Sequence, residues 1–332
     1  MRPGSRSLGI LVFLYLVFNH RCLVAQINLG QCLERGTCVR TGQIHSRVGV
    51  GQIVPGQNKR KELKDCFIAG CKRLVEALRA LSEVVQVYDK SIAAQIEQLR
   101  YSAYTLEKDI VLISEPFEKY SKVELYIIIT SNFPAEILSL VNQCVSGGAD
   151  CIQLRVKDMD DDNLYAVATE FVKICKEHNV CSVINDRIDI AIASDADGIH
   201  LGQNDLPIHS VHKLALKPMI TGKSTHSLEQ LKSACEEYPT YVGLGPVFST
   251  TTKPSAEPVG LDYVRKATEF LADESIGHTA IGGITQDNIE QVLSAGANCI
   301  AVCQAVTKAS DPALACKILK EKIAAFKSKL NN

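Results

Sequence analysis

From residue 123 onward, short apolar runs rich in β-branched residues alternate with longer stretches whose apolar positions recur every three or four residues. The short runs predict strands at Glu124–Thr130, Cys151–Arg155, Ser182–Asp186, Gly198–Leu201, Met219–Ser224, Tyr241–Val247, His278–Gly283 and Cys299–Cys303. Amphipathic helical stretches separate them, which is the pattern of repeated β-α units with a parallel sheet. Eight such units in about 200 residues fit an α/β chain folded as a (β/α)8 TIM barrel over 124–328. An open doubly wound sheet is the alternative, but no Gly-x-Gly-x-x-Gly follows the first strand.

Ahead of the barrel the period changes. Leu63, Phe67, Leu74, Leu78, Leu81 and Val85, then Ile92, Ile96 and Leu99, mark amphipathic helices with one apolar stripe across 62–115. A helical hairpin that packs on a partner domain or another subunit is the expectation, so a homo-oligomer is compatible with the pattern. Pro116 and its polar neighbours predict a linker at 116–123.

The front of the chain has no such period. Arg2 and Arg6 precede an apolar run from Leu8 to Phe18, with a small residue at Ala25, so residues 1–26 have the layout of a signal peptide. That run is shorter than the roughly 20 residues a membrane span needs. Residues 27–61 hold Arg35, Arg40, Arg47, Lys59, Arg60 and Lys61 against the single acid Glu34, a basic segment expected to lack regular structure. The two together resemble the bipartite leader of proteins sent to complex plastids. The alternatives are a plain signal peptide, or a cytoplasmic protein whose upstream sequence reflects a misplaced start.

Composition narrows the chemistry. A formal net charge of -1 and the absence of tryptophan argue against nucleic acid as a partner. Thirteen cysteines would fit a disulfide scaffold in a small secreted chain. Here Cys151, Cys175, Cys181, Cys299 and Cys303 lie in apolar runs and read as reduced core residues.

Barrel chemistry sits at the C-terminal ends of the strands. Those ends carry Gln153, Arg155 and Lys157 after strand two, Asn185 and Asp186 after three, and Gln203 and Asp205 after four. Ser224 and His226 follow strand five, a loop through Thr250, Thr252 and Lys253 follows six, and Gly282-Gly283 follows seven. Asp186 and Asp205 are hard oxygen ligands suited to Mg²⁺ with a substrate diphosphate, although helix capping is the plain alternative for Asp186. Arg155, Lys157 and Lys253 are cations for phosphate groups, and the loop carrying Lys253 is long enough to close over a site. The turn at Gly283 and the segment at Cys303-Gln304 offer backbone N–H groups to a monophosphate. His200, set between Ile199 and Leu201, reads as an interior histidine; His226 reads as a capping or packing residue, and Asp189, Asp195 and Asp197 as surface or capping groups.

IQLRVKD, VINDRIDIA, DGIHLGQNDLP, TGKSTHSLEQ, GLGPVFSTTTKPSAEPVGLDYV and AIGGI, in that order, resemble the successive motifs of thiamine-phosphate synthase. The run from AGCKRLVEAL to LEKDI is similar to a helical extension that precedes this enzyme in cyanobacteria. The resemblance implies a transferase that joins hydroxymethylpyrimidine diphosphate to a thiazole phosphate, plain or carboxylated, releasing pyrophosphate by a Mg²⁺-assisted dissociative route. It implies that Gln153, Arg155, Lys157 and Asn185 contact the pyrimidine diphosphate and that Asp186 and Asp205 hold Mg²⁺. Ser224 and Lys253 would contact the diphosphate or leaving group, and Thr250, Thr252 and the backbone at Gly283, Cys303 and Gln304 the thiazole phosphate. Ser249 and Cys303-Gln304 depart from the usual residues of the family. A thiazole tautomerase and a non-catalytic thiamine- or thiazole-phosphate-binding barrel are the rival readings, and the retained Arg155, Asp186, Asp205 and Lys253 disfavour both.

Overall fold

The computed structural model describes residues 63–215, 217–250 and 256–330. Eight parallel strands close into a barrel in chain order: β1 Leu125–Ile129, β2 Cys151–Leu154, β3 Cys181–Asn185, β4 Gly198–Leu201, β5 Ile220–Thr225, β6 Tyr241–Leu244, β7 Gly277–Ile281 and β8 Ile300–Val302. Closure is made by β1 on β8, where Tyr126 pairs with Ala301 and Ile127 with Val302. Each expected strand is present, with ends shifted by up to three residues.

Side chains alternate across a strand with a period of two, and here both faces are apolar. Leu125, Ile127 and Ile129 point outward into the layer shared with the surrounding helices, as do Ile152, Leu154, Ile199, Leu201, Val242 and Leu244. Tyr126, Ile128, Cys151, Cys181, Val183, Ile220, Tyr241, Cys299 and Ala301 form a second cluster inside the barrel. Cys151, Cys175, Cys181 and Cys299 are buried as expected, whereas Cys303 is corrected: it is half-buried, because it follows the last strand and lines the cavity at the strand ends. Burial pushes the Cys181 thiol up to about 11 and the Cys299 thiol up to about 12, so both stay protonated at neutral pH.

Among the described residues two helices precede the barrel, α1 Leu63–Val85 and α2 Lys90–Tyr120. Asp89 caps α2, accepting from the N–H groups of Ser91 at 2.8 Å and Ile92 at 3.1 Å. The pair packs as a hairpin around Cys71, Val75, Ala93, Ile96 and Ala103, while Leu74, Leu81, Ile92 and Leu99 stay exposed. The expected linker at 116–123 is corrected in its first half, because α2 continues through Pro116 to Tyr120. Its last turn is anchored on the underside of the barrel. Lys119 Nζ lies 2.6 Å from Asp197 Oδ1, and Asp197 Oδ2 accepts from the Ser182 N–H at 2.9 Å and its hydroxyl at 3.1 Å. Tyr120 is buried in the inner cluster, and these contacts offset the cost of an interior proline.

The helix that ends the described chain, Pro312–Leu330, returns to the same face. Its Lys320 and Lys327 hold Glu124 at 2.9 and 2.8 Å, while Asp150 accepts from the N–H groups of Glu124 and Leu125 at 2.9 Å each. Among the described residues no helix is long and apolar enough to cross a membrane.

Candidate active site

The opposite end of the barrel opens into a cavity of about 830 Å³ lined by the strand ends. Gln153, Arg155, Lys157, Asn185, Asp186, Asp205, Ser224, Thr250, Gly283, Cys303 and Gln304 all face it. Thr252 and Lys253 lie outside the described residues.

Period two decides which side chains reach this space. Gln153 stands on the inward phase of β2, is buried, and donates from Nε2 to the Tyr126 hydroxyl at 2.9 Å. Arg155 sits two residues on, its backbone N–H still held by Ile129 O at 2.9 Å. Its guanidinium forms no ion pair with any described carboxylate, so its charge is left for the cavity.

Asp186 and Asp205 come from the loops after β3 and β4 and meet in one place. Asp186 adopts φ 61°, a left-handed conformation that turns its carboxyl over the barrel mouth, and its N–H donates to His200 O at 2.9 Å. Asp205 is fixed by the Gly202 N–H, 2.6 Å from its Oδ2. Burial, then the hydrogen bond and charge of Asp205, hold the Asp186 carboxyl above the ordinary carboxylate range, with Lys157 and Asn185 opposing part of that rise. The capping alternative for Asp186 finds no support, since the following short helix, Ile188–Ala193, starts after Arg187 and has no side-chain cap. No set of three or more His, Cys, Asp or Glu residues gathers around a metal position among the described residues. Two carboxylates with the remaining positions open to phosphate and water are the donor set that Mg²⁺ favours.

The other wall is built from the loops after β6, β7 and β8. Gly282 and Gly283 have φ 105° and 63°, and a Cβ on Gly283 would lie 2.5 Å from Ser249 O. Only glycine allows this approach. Asn288 Nδ2 fixes the turn by donating to Gly283 O at 2.9 Å. Beyond β8, Cys303 O accepts from the N–H groups of Val306 at 3.0 Å and Thr307 at 2.9 Å, starting the short helix Gln304–Thr307. In a closed barrel of eight strands, β3 and β7 are four apart, as are β4 and β8. The carboxylate pair and the glycine wall therefore stand across the mouth from one another.

His200 accounts for both ring nitrogens. Nδ1 lies 2.9 Å from the Tyr241 hydroxyl and Nε2 lies 2.8 Å from Ser224 Oγ. It is an interior histidine, as expected, yet it also lines the cavity and touches a candidate site residue. His226 bonds through Nδ1 to Gly245 O and its N–H donates to Gln230 Oε1 at 2.8 Å, contacts of a packing residue, yet it too lines the cavity. Asp189 pairs with Arg187 at 2.6 Å, Asp195 with Lys176 and Lys217, and Asp197 with Lys119, so these three acids lie in surface or structural pairs. Tyr126, Tyr241 and Thr279 line the cavity and were not singled out by sequence reasoning. Their inward phase on β1, β6 and β7 was the available signal, but a tyrosine inside an apolar run reads as core.

A family model described as thiamine monophosphate synthase matches residues 125–306, and one described as the ThiD2 family matches residues 19–109. The thiamine-phosphate synthase of Prochlorococcus marinus strain MIT 9313 is 37% identical over 271 residues, covering 80% of this chain and 76% of that protein. That of Synechocystis sp. strain PCC 6803 is 35% identical over 254 residues, covering 76% and 72%. Both alignments are longer than the barrel and so run into the helical hairpin. The solved thiamine phosphate pyrophosphorylase of Pyrococcus furiosus is 34% identical, with a TM-score of 0.57, over 62% of this chain and 97% of that one. The ThiD2 match also overlaps residues read above as a leader and a basic segment, which lie outside the described residues.

Proposed function

We propose the following reaction for this chain, which belongs to the thiamine monophosphate synthase family and is a transferase of the thiamine-phosphate synthase type. It joins hydroxymethylpyrimidine diphosphate to a thiazole phosphate, plain or carboxylated, giving thiamine phosphate and pyrophosphate. The observation that carries the reading is the pairing of Asp186 with Asp205 across the mouth from the glycine wall. One side suits a diphosphate with its cation, and the other suits a monophosphate bound by backbone groups.

Asp186 and Asp205 would hold Mg²⁺, which when bound supplies charge to stabilise the departing diphosphate. Arg155 and Lys157 lie beside that position and add fixed positive charge where negative charge grows. Gln153 and Asn185 orient the pyrimidine substrate from the inner wall, and Ser224 offers a hydroxyl to the diphosphate. Thr250 and the backbone at Gly283, Cys303 and Gln304 place the thiazole phosphate, so that its ring nitrogen attacks the carbon losing pyrophosphate. Breaking the C–O bond first leaves a cation stabilised by the pyrimidine ring. No protein nucleophile is needed for that step. Thr252 and Lys253 belong to the same proposal through the resemblance alone.

Full-length protein incubated with both substrates and Mg²⁺ should form thiamine phosphate, and Asp186→Ala should abolish most of the turnover. Activity unaffected by that substitution or by chelation would overturn the reading.

We also infer a plastid destination. The basic start, the apolar run and the acid-poor segment that follows support a bipartite leader, and the buried free thiols fit a reducing compartment. The first 61 residues fused to a fluorescent protein should mark a plastid; export from the cell, or a diffuse cytoplasmic signal, would defeat this.

A further inference from the structure

The helical extension reaches the active site through one ring. Tyr120, the last residue of α2, stacks on Tyr241 with centroids 4.2 Å apart and planes 8° apart. Its hydroxyl shares a short hydrogen bond with Thr279 Oγ1, and Gly277 leaves the space the ring occupies. Tyr241 is fully buried and its hydroxyl lies 2.8 Å from that of Tyr126 and 2.9 Å from His200 Nδ1. An unbroken chain thus runs from Gln153 through Tyr126, Tyr241 and His200 to Ser224.

Counting hydrogens gives the chain a direction. The Tyr126 oxygen accepts from the Gln153 amide, and the acceptor for its own buried hydrogen is the Tyr241 oxygen. Running the chain the other way would leave that buried hydroxyl hydrogen without an acceptor, a costly arrangement. Tyr241 must then donate to His200 Nδ1, which places the imidazole proton on Nε2. Nε2–H donates to Ser224 Oγ, and the Ser224 hydrogen is left to point into the cavity. A serine so held is a hydrogen-bond donor ready for an anion.

We propose that Tyr120 is a positioning residue for the transfer reaction: by stacking on Tyr241 it holds that ring where its hydroxyl can bridge Tyr126 and His200, and so keeps the Tyr126–Tyr241–His200–Ser224 chain intact and the Ser224 hydroxyl aimed. The extension thereby completes the site although it contributes no residue to the cavity wall. The proposal rests on the reading that Ser224 meets the diphosphate.

The test uses the full chain. Tyr120→Phe keeps the stacked ring and should hold kcat within about twofold, whereas Tyr120→Leu should lower kcat about tenfold with little change in either KM. In a Ser224→Ala background Tyr120→Leu should cost nothing further, because the group it positions is gone. Equal losses in both backgrounds, or equal losses for the Phe and Leu variants, would overturn the proposal. Should Tyr120→Leu fail to fold, Gly277→Ala serves instead. Its Cβ would lie 3.0 Å from Tyr120 Cδ1 and 3.2 Å from Cε1, displacing the ring without removing it. Nitrogen NMR of His200 gives a readout independent of turnover: the Nε2–H tautomer should dominate in the wild type and Tyr120→Phe and become mixed in the displaced-ring variants. An unchanged tautomer would overturn the proposal even if the wild type made no thiamine phosphate, an outcome that would instead count against the assigned reaction.

Discussion

Asp186 and Asp205 follow different strands yet bring their carboxyl groups together at one wall of the cavity, and burial first, then the neighbouring Asp205, hold the Asp186 carboxyl above the usual carboxylate range. A raised carboxylate pKa stabilises the folded, cation-free protein most at low pH, and that contribution is lost as pH rises through the raised value. Cation binding reverses the preference, since both groups must ionise to act as ligands. Mg²⁺ or Mn²⁺ should therefore bind more weakly in mildly acidic buffer than at neutrality and should release protons on binding. Calorimetric titration in buffers of different ionisation heat would detect the release, and an affinity indifferent to pH over that interval would contradict the account.

Asp205→Asn should lower the Asp186 pKa without returning it to the ordinary carboxylate range, because the neighbouring charge is removed but the burial that chiefly raises it remains. Turnover should nevertheless fall by about 10²-fold or more, since one of two anionic ligands is lost. The Asp186 carbon resonance followed by NMR against pH, together with kcat, separates the two effects.

Gly283→Ala should act on one substrate. Its φ of 63° strains any side chain, and the added Cβ would meet Ser249 O at 2.5 Å. We expect a destabilisation of at least about 1 kcal/mol by thermal melting, with the KM for the thiazole phosphate raised and that for the diphosphate substrate nearly unchanged. A rise confined to the diphosphate KM would place the two phosphates the other way round.

Lys119 and Asp197 join the extension to the barrel, and their substitutions should differ. The Lys119 side chain is 45% exposed, so Lys119→Ala should cost less than about 1 kcal/mol. Asp197 is 15% exposed and also holds the Ser182 N–H and hydroxyl. Asp197→Ala leaves those donors unpaired and should cost about 2 kcal/mol, readable as a lower denaturant midpoint.

The strands were legible because burial on both faces forces continuous β-branched runs, and Leu125–Ile129 is the clearest case. Reading the rim from strand ends works for the same reason: Gln153, Asn185 and Ser224 lie on the inward phase that the strand period dictates. Pro116 misled because a local breaker was weighed without the tertiary contacts of Tyr120 and Lys119 beyond it. Tyr126 and Tyr241 escaped notice because their rings belong to the core while only their hydroxyls belong to the site. The bond between His200 and Ser224 spans two strands, and no pattern along one segment reveals it.

Tyr120, seated among Tyr126, Cys151, Tyr241 and Cys299, stoppers the barrel from below. Among the described residues, the cavity therefore opens at the rim and not at the base. On the reaction proposed above, substrates and products alike would pass by the rim that carries the loops.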